Sequence, residues 1–209
     1  VGEFAYSKKD YPEVIKYLKM VSGSAAENPA LLKMLADAYF QTKDDQKAYE
    51  ILKKLNEKLP SDADVVKNLY EIAARTGKSD EYIYFLKKYV GLKPNDVEAL
   101  RVLGDKLYEK KDSAGAFVAY RQVLKVNPNA KGFYKRYAEL VMNHSSSDEE
   151  LVSVLSAGIA AGEADVKMYQ KLASIYSKKG DHAKAVQMYE KASLLDTKNV
   201  ELISLLGES

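Results

Sequence analysis

Residues 97–130 read VEALRVLGDKLYEKKDSAGAFVAYRQVLKVNPNA, and the spacing of their apolar residues decides the fold. Leu100, Leu103 and Leu107 recur at i, i+3 and i+7 before the polar run Lys110-Lys111-Asp112-Ser113 interrupts; Ala116, Tyr120, Val123 and Leu124 then take up the same period. An apolar stripe of helical period, broken once and resumed, predicts a helix, a turn and a second helix. Asn95-Asp96 stands where the first helix begins, with side chains able to accept hydrogen bonds from its orphan N–H groups.

The same pattern recurs along the chain. Pro60, Pro94 and Pro128 lie at intervals of 34 residues. At that period Leu35-Ala36, Leu69-Tyr70, Leu103-Gly104, Tyr137-Ala138 and Leu172-Ala173 align, as do Leu52, Leu86, Tyr120, Leu155 and Tyr189. Both columns contain one step of 35, which places an extra residue in the polar run Asn143-His144-Ser145-Ser146-Ser147-Asp148. Asn28, Ser61-Asp62 and Asp196-Thr197 repeat the capping position, and Gly77 and Gly180 fall where a left-handed residue ends a first helix. Period-two alternation is nowhere sustained, so the expected fold class is all-α, an α-solenoid of antiparallel helix pairs. The expected frame is one array over 1–209: a partial repeat at 1–28, full repeats at 29–62, 63–96, 97–130, 131–165 and 166–199, and the start of a further or capping helix at 200–209.

Composition narrows the function. The 209 residues carry 32 Lys+Arg and 30 Asp+Glu, a formal charge of +2, which suggests neither a polybasic nucleic-acid arm nor an acidic tail. Zero Cys removes disulfides, thiol catalysis and zinc-thiolate sites, and fits a cytoplasmic or a periplasmic setting equally. No apolar run approaches a membrane span, so a soluble chain is expected. His144 and His182 lack fixed partner ligands and read as turn residues, with no metal and no cofactor implied. No phosphate loop, nucleophile elbow or other catalytic constellation is present, and the chain is not expected to be an enzyme.

These columns resemble the tetratricopeptide repeat family. The residues that carry the resemblance are Tyr169, Leu172, Ala173, Tyr176, Gly180-Asp181, Ala185, Tyr189 and Ala192 in the sixth unit, and Leu100, Leu103, Gly104, Leu107, Ala116, Tyr120, Val123 and Pro128 in the fourth. The family's small positions allow close approach, so Gly104 or Ala173 is expected against Ala116 or Ala185. The third unit departs, with Tyr70 and Tyr82 at both small positions and Ala73-Ala74 where a large pair is usual; the fifth departs with Leu151 and Gly158. The resemblance implies a right-handed superhelix whose first helices line a concave groove.

On the groove positions that the family implies, the fourth unit sums to −2 (Glu98, Arg101, Asp105 and Glu109), the fifth to +1 (Lys135, Arg136 and Glu139) and the sixth to +3 (Lys167, Lys171 and Lys178). The expected partner-binding residues are therefore Phe40 and Tyr108 as anchors, with Arg101, Lys135, Arg136, Lys167 and Lys171 reading charge. Chaperone-binding members of the family clamp a terminal carboxylate at positions held here by Arg101, Asp105, Arg136, Lys167 and Lys171; both Asn of that clamp are absent, and Asp105 is expected to repel a carboxylate.

The leading expectation is a non-catalytic protein-protein interaction scaffold that binds a protein or peptide segment in its groove, an acidic one near repeats four to six. Two alternatives stand beside it: the recognition arm of a larger multidomain enzyme, and end-to-end self-association through apolar faces such as Val1, Phe4, Ile203 and Leu206. Nucleic-acid binding is not expected.

Overall fold

A computed structural model describes residues 2–21, 27–144 and 147–195. Every element among them is helical: α1 (Gly2–Ser7), α2 (Tyr11–Leu18), α3 (Pro29–Gln41), α4 (Asp45–Lys58), α5 (Ala63–Arg75), α6 (Ser79–Leu92), α7 (Val97–Glu109), α8 (Ser113–Val126), α9 (Tyr134–His144), α10 (Asp148–Ala160), α11 (Val166–Lys178) and α12 (His182–Leu195). The fold class is all-α, a solenoid of helix pairs. The chain forms two compact units, residues 1–99 and 100–209, the boundary falling just inside α7.

Helix ends are set by side chains that the period repeats. Asn28 accepts from the Ala30 N–H at 2.9 Å, Asp62 from Asp64 at 3.0 Å and Asp96 from Ala99 at 3.0 Å, which caps α3, α5 and α7. Inside five of the pairs the turn is built on one left-handed residue. Lys9, Lys43, Gly77, Lys111 and Gly180 are left-handed, with φ of 58°, 61°, 71°, 62° and 78°. The N–H of the next residue reaches back over that turn, from Asp10 to Ala5, Asp44 to Tyr39, Lys78 to Ala73, Asp112 to Leu107 and Asp181 to Tyr176. Four of these following residues are aspartates, and their carboxylates cap the second helix by accepting from the Glu13, Lys47, Gly115 and Lys184 N–H groups. One dipeptide thus closes one helix and opens the next. The capping position at Asp196-Thr197 and the further helix at 200–209 lie outside the described residues.

In the unit of residues 1–99, α1 packs on α2, α2 on α3, α3 on α4, α4 on α5 and α5 on α6. Val14, Ala36, Leu52, Leu55, Leu69 and Leu86 are fully or almost fully buried there. Tyr70, at a position where the family is small, meets Tyr82 and Tyr89 with ring centroids 6.1 Å and 5.3 Å away. The three rings thus pack against one another between α5 and α6.

In the unit of residues 100–209, α8 packs on α9, α9 on α10, α10 on α11 and α11 on α12. An aromatic cluster lies at its centre: Phe133 stacks on Tyr120 at 5.4 Å and on Tyr134 at 4.6 Å, with Tyr137 at 6.1 Å from Phe133. Two glycines make room for it. A Cβ on Gly104 would stand 2.5 Å from Tyr120 Cε1, so the Tyr120 ring on α8, rather than Ala116, is what requires the missing side chain. A Cβ on Gly158 would meet Met168 Cε at 2.5 Å and Tyr134 Cβ at 3.0 Å.

The histidines sit slightly differently from expectation. His144 is the last residue of α9, its Nδ1 2.9 Å from the Leu140 carbonyl oxygen, and His182 opens α12. No helix among the described residues is long and apolar enough to cross a membrane.

Candidate functional site

The residues expected to face the groove are held in place by their neighbours one repeat on. In the first unit Tyr6 of α1 donates its hydroxyl to Asp37 of α3 at 2.7 Å. Burial first, then the Asp37 carboxylate, pushes the Tyr6 pKa up to about 12. Phe40, one turn beyond Asp37, is half-buried, and the Arg75 guanidinium lies 4.3 Å from its ring centroid. Arg75 is itself fixed by Asp45, to which its Nε donates at 3.1 Å. Lys33 reaches Asp62 at 2.8 Å and Asp64 at 3.4 Å. Burial opposes its charge, but these two carboxylates outweigh burial and raise its pKa. A cleft of about 400 Å³ opens between Tyr6, Asp37, Phe40 and Glu71.

In the second unit Asp105 is the centre. Its carboxylate accepts from Tyr120 Oη at 2.6 Å, Arg101 Nη1 at 3.0 Å and Arg136 Nη1 at 2.6 Å. The hydrogen bond to Asp105 holds the Arg136 pKa above the usual guanidinium range. The repulsion expected of Asp105 is accordingly offset: two guanidinium groups share its single negative charge, so the cluster is net cationic. Tyr108 donates its hydroxyl to Glu139, which raises the phenol's pKa, and Arg136 lies 6.0 Å from the Tyr108 ring centroid. Tyr108, Arg136, Glu139 and Asn143 line a cleft of about 540 Å³.

Arg101, Tyr108 and Arg136 are thereby brought together. Lys135 and Lys167 are exposed and Lys171 half-buried, and none of the three carries an ion pair among the described residues. Phe40 belongs to the other unit. Among the described residues no three His, Cys, Asp or Glu side chains are grouped to hold a metal.

Sequence reasoning passed over two contributors. One is Tyr120, whose column identified it as framework while its hydroxyl donates to Asp105, which also holds Arg101 and Arg136. The other is Glu163, in the loop before α11, whose carboxylate accepts from the backbone N–H groups of Gly132 and, at 2.9 Å, Tyr134 at the start of α9. A separation of 31 residues, one turn short of the period, was the signal available for Tyr6 with Asp37, Tyr108 with Glu139 and Arg136 with Asp105.

Family models described as tetratricopeptide repeat match residues 5–71 and 166–199. The chain is a tetratricopeptide repeat protein. Solved structures of such repeats share its fold: YrrB, described as a TPR protein with an unusual peptide-binding site, superposes with a TM-score of 0.59 at 14% identity, covering 93% of this chain and 96% of that one. A crystal structure of MamA gives 0.53 at 19% identity over 84% of this chain and 96% of that one. A further MamA structure, labelled AMB-1, gives 0.53 at 19% over 97% and 92%. No curated protein matches the chain in sequence. Its tetratricopeptide repeats place it in the class of protein-interaction scaffolds.

Proposed function

We propose that this tetratricopeptide protein is a non-catalytic scaffold that receives an acidic segment of a protein partner on the face carrying Lys135, Lys167 and Lys171, with Arg101 and Arg136 beside them and Tyr108 as the anchor. Phe40 is the corresponding anchor on the first unit. The frame of five full repeats over 29–199 belongs to the same proposal. One observation carries it: Lys135, Lys167 and Lys171 are without ion pairs among the described residues, whereas Lys33 and Arg75 are engaged by carboxylates. A cation that is not already neutralised gains most from an incoming carboxylate, and several on one surface raise the rate of encounter.

The test uses the whole chain and a fluorescein-labelled peptide rich in Glu and Asp, followed by anisotropy. Lys167→Glu with Lys171→Glu is expected to weaken binding about tenfold or more at low salt, with the difference shrinking as salt is added. Equal affinity for the double variant and the parent would remove the basic face from the function.

A further inference from the structure

The Tyr6 and Tyr108 sites are one device built twice. Tyr6 and Tyr108 stand three repeats apart, as do Asp37 and Glu139, and Lys33 and Lys135. In both copies the tyrosine donates to the carboxylate on the first helix of the next repeat. Around that shared frame the charge is inverted. Counting the one extra residue, the places of Asp64, Asn68 and Glu71 in the first copy are taken by Lys167, Lys171 and Ser174 in the second, and the place of Met34 is taken by Arg136.

The first copy has a carboxylate to spare. Lys33 is shared between Asp62 and Asp64, and Lys67 lies 3.8 Å from Glu71. Among the described residues Asp37 has neutral donors only, Tyr6 Oη at 2.7 Å and Gln41 Nε2 at 3.3 Å. It faces the 400 Å³ cleft, which is walled by the Tyr6 and Phe40 rings and floored in part by Leu52 and Val65. The Phe40 ring already holds one guanidinium, that of Arg75, at 4.3 Å. A carboxylate without a cation, beside aromatic and aliphatic carbon, suits a side chain that has a charged head and an apolar stem.

We propose that this cleft receives a lysine or arginine side chain from an extended segment of a partner protein, with Asp37 reading the charge and Phe40 and Tyr6 packing the stem. It goes beyond the acidic-segment site of the other unit and stands whether or not that site exists. The chain would then read two signs of charge on two copies of one frame.

The experiment titrates the full chain with a labelled Lys/Arg-rich peptide and, in parallel, the labelled Glu/Asp-rich peptide. Asp37→Asn keeps the shape of the side chain and an acceptor for the Tyr6 hydroxyl while removing the charge, and is expected to weaken the basic peptide about fivefold to tenfold and leave the acidic peptide unchanged. Asn68→Lys, which installs the second copy's residue, is expected to do the same. Lys167→Glu with Lys171→Glu is expected to leave basic-peptide affinity intact, so failure of the acidic-segment site shows in the other titration alone. Thermal melts of both single variants check that each is folded. No binding of the basic peptide to the parent, or equal binding by parent, Asp37→Asn and Asn68→Lys, would overturn the proposal. So would a concentration-dependent dimer in sedimentation that Asp37→Asn abolishes, since the cleft would then belong to a second copy of the chain.

Discussion

The hydroxyl of Tyr120 on α8 donates to the carboxylate of Asp105 on α7 at 2.6 Å, and the same carboxylate holds Arg101 and Arg136. A fully buried ring on one helix and two groove cations on two others therefore depend on one side chain. Replacing Asp105 by Ala removes the acceptor that the Tyr120 hydroxyl shares with two guanidinium groups and is expected to cost about 2–3 kcal/mol. Asp105→Asn keeps an acceptor and is expected to cost about half as much. Urea denaturation of the three proteins checks the order.

Gly104 is the room that this arrangement needs. A Cβ there would stand 2.5 Å from Tyr120 Cε1. Overpacking of this kind costs about 1–3 kcal/mol, against a gain of about 1 kcal/mol from replacing a mid-helix glycine. Gly104→Ala is expected to be destabilised by up to about 2 kcal/mol on balance. Thermal unfolding reads the sign: a variant more stable than the parent would mean that the ring can move aside.

Glu163, in the loop after α10, reaches back to cap α9, the first helix of the same pair. Removing it in Glu163→Ala exposes the first N–H groups of that helix at a cost of about 1 kcal/mol. The discriminating measurement is amide hydrogen exchange, in which the Gly132 and Tyr134 amides are expected to speed up more than those in the middle of α9.

High pH acts on the tyrosines. Burial first, with the Asp37 and Asp96 carboxylates adding to it for Tyr6 and Tyr89, pushes Tyr6, Tyr89 and Tyr137 up to about 12, and Tyr49, Tyr70 and Tyr120 are raised further by burial. A raised folded pKa gives stability that is full below the unfolded value of 10.0 and is lost as pH climbs through the folded value. The transition midpoint is therefore expected to fall steadily above pH 10.0, with these phenols ionising in step with loss of helical circular dichroism. Ionisation of all the tyrosines near the unfolded value, with helix retained, would show that the rings are open to water.

The helix pairs were legible because both periods involved, 3.6 and 34, act on residue types that the eye can align: leucines, small residues, prolines. Groove chemistry was less legible, since periodicity reveals equivalent residues while contacts join inequivalent ones. Tyr6 with Asp37, Arg136 with Asp105, and Tyr108 with Glu139 are each 31 residues apart, because a side chain meets the next repeat about one helical turn before its own equivalent. Whether a groove lysine is engaged depends on that offset partner: Lys33 finds Asp64, and the place of Asp64 beside Lys135 is taken by Lys167. The turn aspartates Asp10, Asp44, Asp112 and Asp181 were visible in the column that follows Gly77 and Gly180, but their double use at two helix ends needed the backbone to be seen.

The left-handed turn residue has a consequence for how this chain can change. Glycine adopts that conformation freely, whereas Lys9, Lys43 and Lys111 hold it at about 1–2 kcal/mol each, offset by the roughly 0.5–1 kcal/mol of backbone entropy that glycine would lose. Lys9 and Lys43 are not among the residues that line either cleft or bind Asp105, whereas Lys111 lines the Tyr108 cleft. At Lys9 and Lys43 durability and partner choice are thus encoded by separate residues, and a lineage or an engineer can raise the first by lysine-to-glycine changes there while leaving the second as it stands.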